Sequence, residues 1–224
     1  YPLTFNAAYT QLMERLARAK SPLAKARAIA GFRPAMLVPQ VALVEGLTDP
    51  LSGLIMGKTA EILAREWSIT RTEADQYALR SHQRAASAQA SGRFAAEIVP
   101  HLPCGAAADA GAVVHDDSVR ANQSIDALAK LPPYFEKPDG RVTVGNSCGI
   151  TDGACALLVC RESTARAAGL QPLARLTGRA WAGCDPARMG LGPVVATARL
   201  LRATGRAWSD IDVVELNEAF AAQV

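Results

Sequence analysis

Long apolar runs, paired cysteines and a surplus of either charge are all missing from this chain, and each absence removes a class of function. No apolar stretch reaches the ~18 residues a membrane-spanning helix needs. The opening residues carry no basic stretch followed by an apolar one, so no signal peptide is visible. The five cysteines (104, 148, 155, 160 and 184) are odd in number and form no CxxC pair. That argues against a disulfide framework and a zinc site and favours a reducing compartment, so the expected location is cytoplasmic. Lys and Arg total 24 against 21 Asp and Glu, a formal charge of +3. So small and evenly spread an excess does not suit nucleic acid. No internal repeat or low-complexity tract appears. A Gly-x-Gly at 190 and 192 fails as a dinucleotide fingerprint, because Val195 stands where the third glycine belongs.

What is present is enough hydrophobicity for a core: half of the 224 residues are hydrophobic and a fifth are charged. The length fits one large domain or two small ones. Residues 7–30 read as an amphipathic helix broken at Ser21-Pro22. Arg15, Arg18, Lys20, Lys25 and Arg27 would form its solvated face. Residues 47–57 form a turn-rich connector, and residues 58–67 are helical. Thr70 followed by Glu73 is a capping box; it opens a helix that runs to about Ser91 and is closed by Gly92. Ala74, Tyr77, Ala78, Ser81, Ala85 and Ala88 share one face of it, small enough for close packing. His82 has no partner in the sequence and reads as surface or core filler.

Residues 94–100 are expected to form a strand, and 101–119 a loop or weak hairpin. His101, Cys104 and His115 lie there, too loosely held to make a nucleophile and base. Ser124 to Lys130 reads as a short helix. The stretch 141–161 is the most informative. A β-branched run (Val142, Thr143, Val144) meets a polar turn with glycines at 145, 149 and 153, and a buried strand at 154–160 leaves it. From these residues alone, the loop is either a connection or the carrier of a ligand. Ser163 and Gly169 would bound a short helix. Strands are expected at 173–178 and 211–216, with a helix from Pro193 to Gly205 between them. Asn217-Glu218-Ala219-Phe220 turns off the last strand, where α/β proteins place chemistry. The helix begun there stops at Val224, which suggests a segment of a larger protein.

Six motifs in fixed order resemble the thiolase family. Met56-Gly57-x-Thr59-Ala60-Glu61 resembles MGxTAE. Arg71, Asp75, Ala78, Ser81, Ala85, Gly92, Phe94 and Glu97-Ile98 follow the family's helix-and-strand pattern. Arg120 with Leu128-Ala129-Lys130-Leu131 and Phe135 resembles R…LAKLxPxF. Residues 142–154 resemble VTAGNASGINDGA, and Asp185-Pro186 with Met189-Gly190-x-Gly192-Pro193 resembles DPxxMGxGP. Residues 217–223 match NEAFAAQ. The resemblance covers nearly the whole chain. The basic N-terminal helix and Ile150-Thr151-Asp152-Gly153 also resemble the long-chain branch, such as the β subunits of trifunctional complexes.

The resemblance implies an α/β thiolase fold, layered α/β/α/β/α with an inserted loop domain and incomplete here at both ends. Residues 1–144 would be the loop domain, 145–170 the end of the N-terminal half and 171–224 the start of the C-terminal half. It implies thiolytic cleavage of 3-ketoacyl-CoA to acetyl-CoA and a shortened acyl-CoA, or the reverse Claisen condensation. A cysteine thiolate would hold the acyl group, and a second cysteine would move the proton at the acetyl carbon. Asn217 would orient a water in an oxyanion hole. Met56, Leu131, Phe135, Cys148, Gly149, Met189, Ala219 and Phe220 would line the pantetheine and acyl tunnel, and Arg120 would meet the coenzyme A nucleotide. Cys148 stands where the family commonly has Ser, so it would be a pocket wall and not the nucleophile. Ile55 stands where some thiolases have His. By the same mapping the nucleophile region lies before Tyr1, and the family's histidine loop and second cysteine lie after Val224. The chain by itself is therefore expected not to turn over. No metal or bound cofactor is implied, since coenzyme A is a substrate. The implied partners are acyl-CoA, CoA and a second copy of the chain, in a homodimer or homotetramer, and for the long-chain branch a multifunctional β-oxidation subunit. Taken singly, Met56, Met189 and Phe220 read as core rather than pocket, Asn217 as a helix cap and Asp152 as a turn residue. The competing class is a CoA- or lipid-binding relative without activity, or an inactive truncated product.

Overall fold

Helices dominate the computed structural model, which describes residues 3–102, 105 and 111–224. Cys104 lies outside the described residues. The chain divides into two compact units, Tyr1–Met56 and Gly57–Val224.

In the first unit, β1 (Leu3–Phe5) pairs antiparallel with β2 (Pro39–Val41), Thr4 opposite Gln40. Asn6 ends β1 and caps α1 (Ala7–Arg18): its side chain accepts the Tyr9 N–H and donates to the Ala35 carbonyl at 3.0 Å. The break expected at Ser21-Pro22 is real. Ser21 caps α2 (Pro22–Ala30) and Pro22 takes its first turn, where a missing N–H costs nothing. The five basic side chains of this hairpin are exposed. A short helix, α3 (Ala42–Gly46), follows, and Asp49 then accepts the N–H groups of Leu51 and Ser52 in a tight turn.

The second unit is built on α4 (Met56–Glu66) and α5 (Arg71–Ala90). Both members of the α5 capping box are in place: Thr70 accepts the Glu73 N–H, and Glu73 accepts the Thr70 N–H. The Glu73 carboxyl is held below its usual value, chiefly by that backbone N–H. Ala60 and Ala64 of α4 form the core with Val142, Phe220 and Ala222, and Ile69, Phe135 and Ala219 pack against it. Gly57 is required here. A Cβ on it would sit 2.1 Å from Phe135 Cε2.

The segment 141–149 is clamped to both helices by buried polar groups. Glu61, 1% exposed, accepts the backbone N–H groups of Arg141 and Val142 at 2.9–3.0 Å. The Arg141 guanidinium donates to the carbonyls of Ala64 and Ile69, satisfying the end of α4. Asn146 accepts the Thr143 N–H and donates to Arg141 O and to Asp75 Oδ1. Arg71 pairs with Asp75 and donates to Leu128 O of α6 (Ile125–Ala129). Among the described residues, no buried side-chain polar atom lacks a partner.

Five expected strands are absent. Residues 94–97 close i+3 and i+4 turns after Gly92 instead of extending. Val142 and Thr143 spend their backbone donors on Glu61 and Asn146, not on a neighbouring strand. Residues 154–160, 173–178 and 211–216 are irregular and unpaired, and the stretch expected to be buried at 154–160 is exposed, with Leu157 at 86%. A strand exists only through a partner that takes its N–H and C=O groups. Among the described residues, none of these three stretches pairs in a ladder with another segment. α7 (Glu162–Ala167) forms as expected, but Arg161 and not Ser163 holds the cap position. Pro186–Leu191 is a 3₁₀ turn, and α8 (Gly192–Thr204) ends at Gly205 in the left-handed conformation (φ 66°).

Candidate functional site

One backbone pairing builds the site. Cys148 N–H donates to Ala219 O and Ala221 N–H donates to Asn146 O, both at 2.9 Å, so the 217–221 turn lies antiparallel to 146–148. Because Asn146 is itself locked to Asp75 of α5, the turn is held at a fixed distance from that helix. A cleft of ≈ 760 Å³ opens between them. Its walls are Tyr77, Ser81 and His82 of α5, residues 116–119, the 145–149 loop and residues 215–218. A second recess of ≈ 530 Å³ shares His82 and the glycine loop and adds Arg120 and Gln123.

Asn217, Cys148 and Gly149 thus meet in the first cleft, and Gly149 and Arg120 meet in the second. The Asn217 side chain is exposed and has no hydrogen-bond partner among the described residues, so its amide is available to the cleft. The other expected residues are placed differently. Phe220 is 9% exposed and meets Phe135 edge-on, centroids 6.2 Å apart, within the core. Ala219 packs against that core, and Leu131 lies under Gly145. Met189 is half-buried in the 3₁₀ turn. Met56 begins α4, and its N–H donates to Leu47 O.

Three wall residues escape a reading of the sequence. Tyr77 and Ser81 look like packing positions on a small-residue face. Instead their hydroxyls donate to the two oxygens of Glu218, Tyr77 at 2.7 Å. His82 looks like filler, yet its Nδ1 accepts the Arg120 N–H at 3.3 Å and it fronts both recesses. The available signal was their spacing: 77, 81 and 82 fall on one side of a helix. Burial, followed by the Glu218 hydrogen bond, raises the Tyr77 phenol above its usual value. The first cleft also carries Asp116, Asp117, Asp152 and Glu215; Arg120 supplies the positive charge in the second recess. Among the described residues, no group of three or more His, Cys, Asp or Glu side chains could hold a metal ion. Among the described residues, His101 pairs only through its backbone, with Val113, and His115 is exposed.

An exposed amide donor at the mouth of a glycine-rich loop, beside a recess with a guanidinium, can orient a water or a carbonyl oxygen and can accept a phosphorylated ligand alongside. Comparison with known proteins places the chain in a family. The family profile "Thiolase, N-terminal domain" matches residues 13–163, and "Thiolase, C-terminal domain" matches 170–224. An acetyl-CoA acetyltransferase of Rhizobium meliloti (strain 1021) is 47% identical over 179 residues, 80% of this chain and 45% of that protein. A 3-ketoacyl-CoA thiolase of Shewanella sp. (strain ANA-3) is 48% identical over 169 residues, 75% of this chain and 44% of that protein. The crystal structure of the Bacillus anthracis acetyl-CoA acetyltransferase superposes with a TM-score of 0.79 at 41% identity, covering 83% of this chain and 46% of that one. Human mitochondrial 3-ketoacyl-CoA thiolase in complex with CoA superposes at 0.75 and 41% identity, covering 81% and 44%. The chain therefore spans less than half the length of the relatives it matches. Two adjoining domain profiles, shared sequence and shared fold agree: this chain belongs to the thiolase family.

Proposed function

We propose that the protein is a thiolase-type acyltransferase, cleaving 3-ketoacyl-CoA with free CoA to acetyl-CoA and a shortened acyl-CoA or running the reverse condensation. The observation that carries this is the meeting of Asn217 with Cys148 and Gly149 on one cleft wall, next to the Arg120 recess. In cleavage, a cysteine thiolate elsewhere in the protein attacks the 3-keto carbonyl. The bond to the acetyl carbon breaks, and a second cysteine protonates that carbon to release acetyl-CoA. Free CoA then takes the acyl group from the first cysteine. Asn217 contributes a neutral donor that orients a water toward the developing oxyanion without adding charge. Arg120 holds the nucleotide end of CoA, and Cys148 and Gly149 flank its pantetheine arm.

The same reading assigns residues 1–144 to a loop domain, 145–170 to the end of one thiolase half and 171–224 to the start of the other. It takes the layered α/β/α/β/α core to be completed by further chain. It places the protein in the cytoplasm as a homo-oligomer. The basic hairpin α1–α2 favours the long-chain β-oxidation branch, with its multifunctional partner subunit. Among the described residues, no helix is long and apolar enough to cross a membrane.

The test is the full reading frame, expressed and assayed for CoA-dependent loss of acetoacetyl-CoA absorbance. Asn217→Ala should lower kcat by about 10²–10³, the effect of one lost oxyanion donor. Absence of turnover on any acyl chain length would overturn the assignment in favour of a CoA-binding relative.

A further inference from the structure

The turn that carries Asn217 is secured on one side only by backbone. After it, Ala219 O and Ala221 N–H bond to the 146–148 strand-like segment. Before it, Ile211 N–H donates to Trp208 O, and residues 212–216 have no paired backbone among the described residues. A further anchor, beside the core packing of Phe220, is the Glu218 side chain. Tyr77 donates to Oε1 and Ser81 to Oε2, so each carboxylate oxygen has its own hydroxyl and the carboxylate plane is fixed. The two donors sit one turn apart on α5, which places both on the same face of the helix. The helix is itself immobilised: its start is boxed by Thr70 and Glu73, and Asp75, just before Tyr77, is buried on Asn146 and Arg71. Arg80 lies over the Tyr77 ring, 4.9 Å from its centroid, and holds the phenol in place.

We propose that Tyr77 and Ser81 are positioning residues for the reaction, acting through Glu218 to fix the direction in which the Asn217 carboxamide faces the cleft. The inference rests on the thiolase reading above and adds the device that aims its oxyanion donor. A 1 Å misplacement at a reacting centre is enough to cost a large factor in rate, so a hydroxyl two links away from substrate has a kinetic signature. Tyr77 also has a signature that does not need turnover. Its phenol lies above the usual tyrosine range because of burial first and Glu218 second, with Arg80 and Arg84 opposing. His82, Asp116, Asp117 and Glu215 share the cleft.

The test compares Tyr77→Phe, Ser81→Ala, Ser81→Thr, Glu218→Gln and the Tyr77→Phe/Glu218→Gln double variant in the full-length protein. Tyr77→Phe and Glu218→Gln should each lower kcat about tenfold while KM for CoA stays within about twofold. The double variant should be no slower than the worse single one, because both break one linkage. Ser81→Thr, which keeps the hydroxyl, should restore what Ser81→Ala loses. Wild-type kcat in Tyr77→Phe and Ser81→Ala, or additive losses in the double variant, would overturn the proposal. Wild-type protein without thiolase turnover would defeat the thiolase reading instead. In that event the linkage is judged by NMR titration of ring-labelled tyrosine. The Tyr77 phenol should move down toward its ordinary value in Glu218→Gln, and an unmoved titration overturns the linkage on its own.

Discussion

The Asn146 amide donates to Asp75 Oδ1 at 2.9 Å, and both side chains are buried. This contact ties the glycine loop to α5 and, through the Asn146 carbonyl, ties the Asn217 turn to the loop.

Asn146→Ala should therefore destabilise the protein and loosen the cleft together. It strands the Thr143 N–H, the Arg141 carbonyl and one Asp75 oxygen. Each unsatisfied buried group costs about 1–3 kcal/mol. Urea denaturation should show a loss of several kcal/mol, larger in Asn146→Asp, which turns a carboxylate toward Asp75. A midpoint within error of the wild type would refute the clamp.

Gly57→Ala tests the packing of α4 on Phe135. The added Cβ would lie 2.1 Å from the ring, so the ring must move. Overpacking of this kind costs about 1–3 kcal/mol. A second change, Phe135→Leu, should recover part of the loss. Thermal denaturation of the three variants decides it, and a double variant less stable than Gly57→Ala would count against the placement.

The cluster of Arg188 with Glu66 and Asp185 gives a pH prediction. Hydrogen bonding to Arg188 is the largest cause holding both carboxyls below their usual values. A depressed carboxyl contributes stability that is present above the ordinary carboxyl range and is lost as pH falls through the lower folded value. The melting temperature of Arg188→Ala should thus lie below wild type at neutral pH, and the two should converge on acidification below the ordinary carboxyl range. A gap that persists there would show that the contribution is packing, not charge.

Arg120→Ala should raise KM for CoA roughly tenfold, with kcat within a few fold. A hydrogen bond to a charged group is worth about 1.5–3 kcal/mol. Steady-state kinetics of the full-length protein reads both numbers, and an unchanged KM would remove Arg120 from the nucleotide site.

Helices were legible in the sequence because their signals are local. Thr70 with Glu73, Ser21-Pro22 and Gly205 each carry their own capping chemistry, and all three act as read. Strands were not, because half of a strand is its neighbour. Residues 154–160 have a strand's composition and no partner here. In the site, the ordered motifs pointed to Asn217, Cys148, Gly149 and Arg120, and these four border the two recesses. The spacing of Tyr77, Ser81 and His82 puts them on one side of a helix, but nothing local identifies Glu218 and Arg120 as their distant partners. Phe135 and Phe220 show the opposite ambiguity: the same aromatic can line a tunnel or fill a core, and here both lie in the core.

The unpaired segments also set how this polypeptide behaves in a tube. Leu157, Leu158, Val159, Leu173, Leu176, Val213 and Val214 are each more than half exposed on backbone with open N–H and C=O groups. Extended, apolar and unsatisfied stretches are templates for pairing with other chains. Their association is second order in concentration whereas folding is first order. Dilution, or polypeptide that offers matching strands, would therefore decide whether this chain remains dispersed.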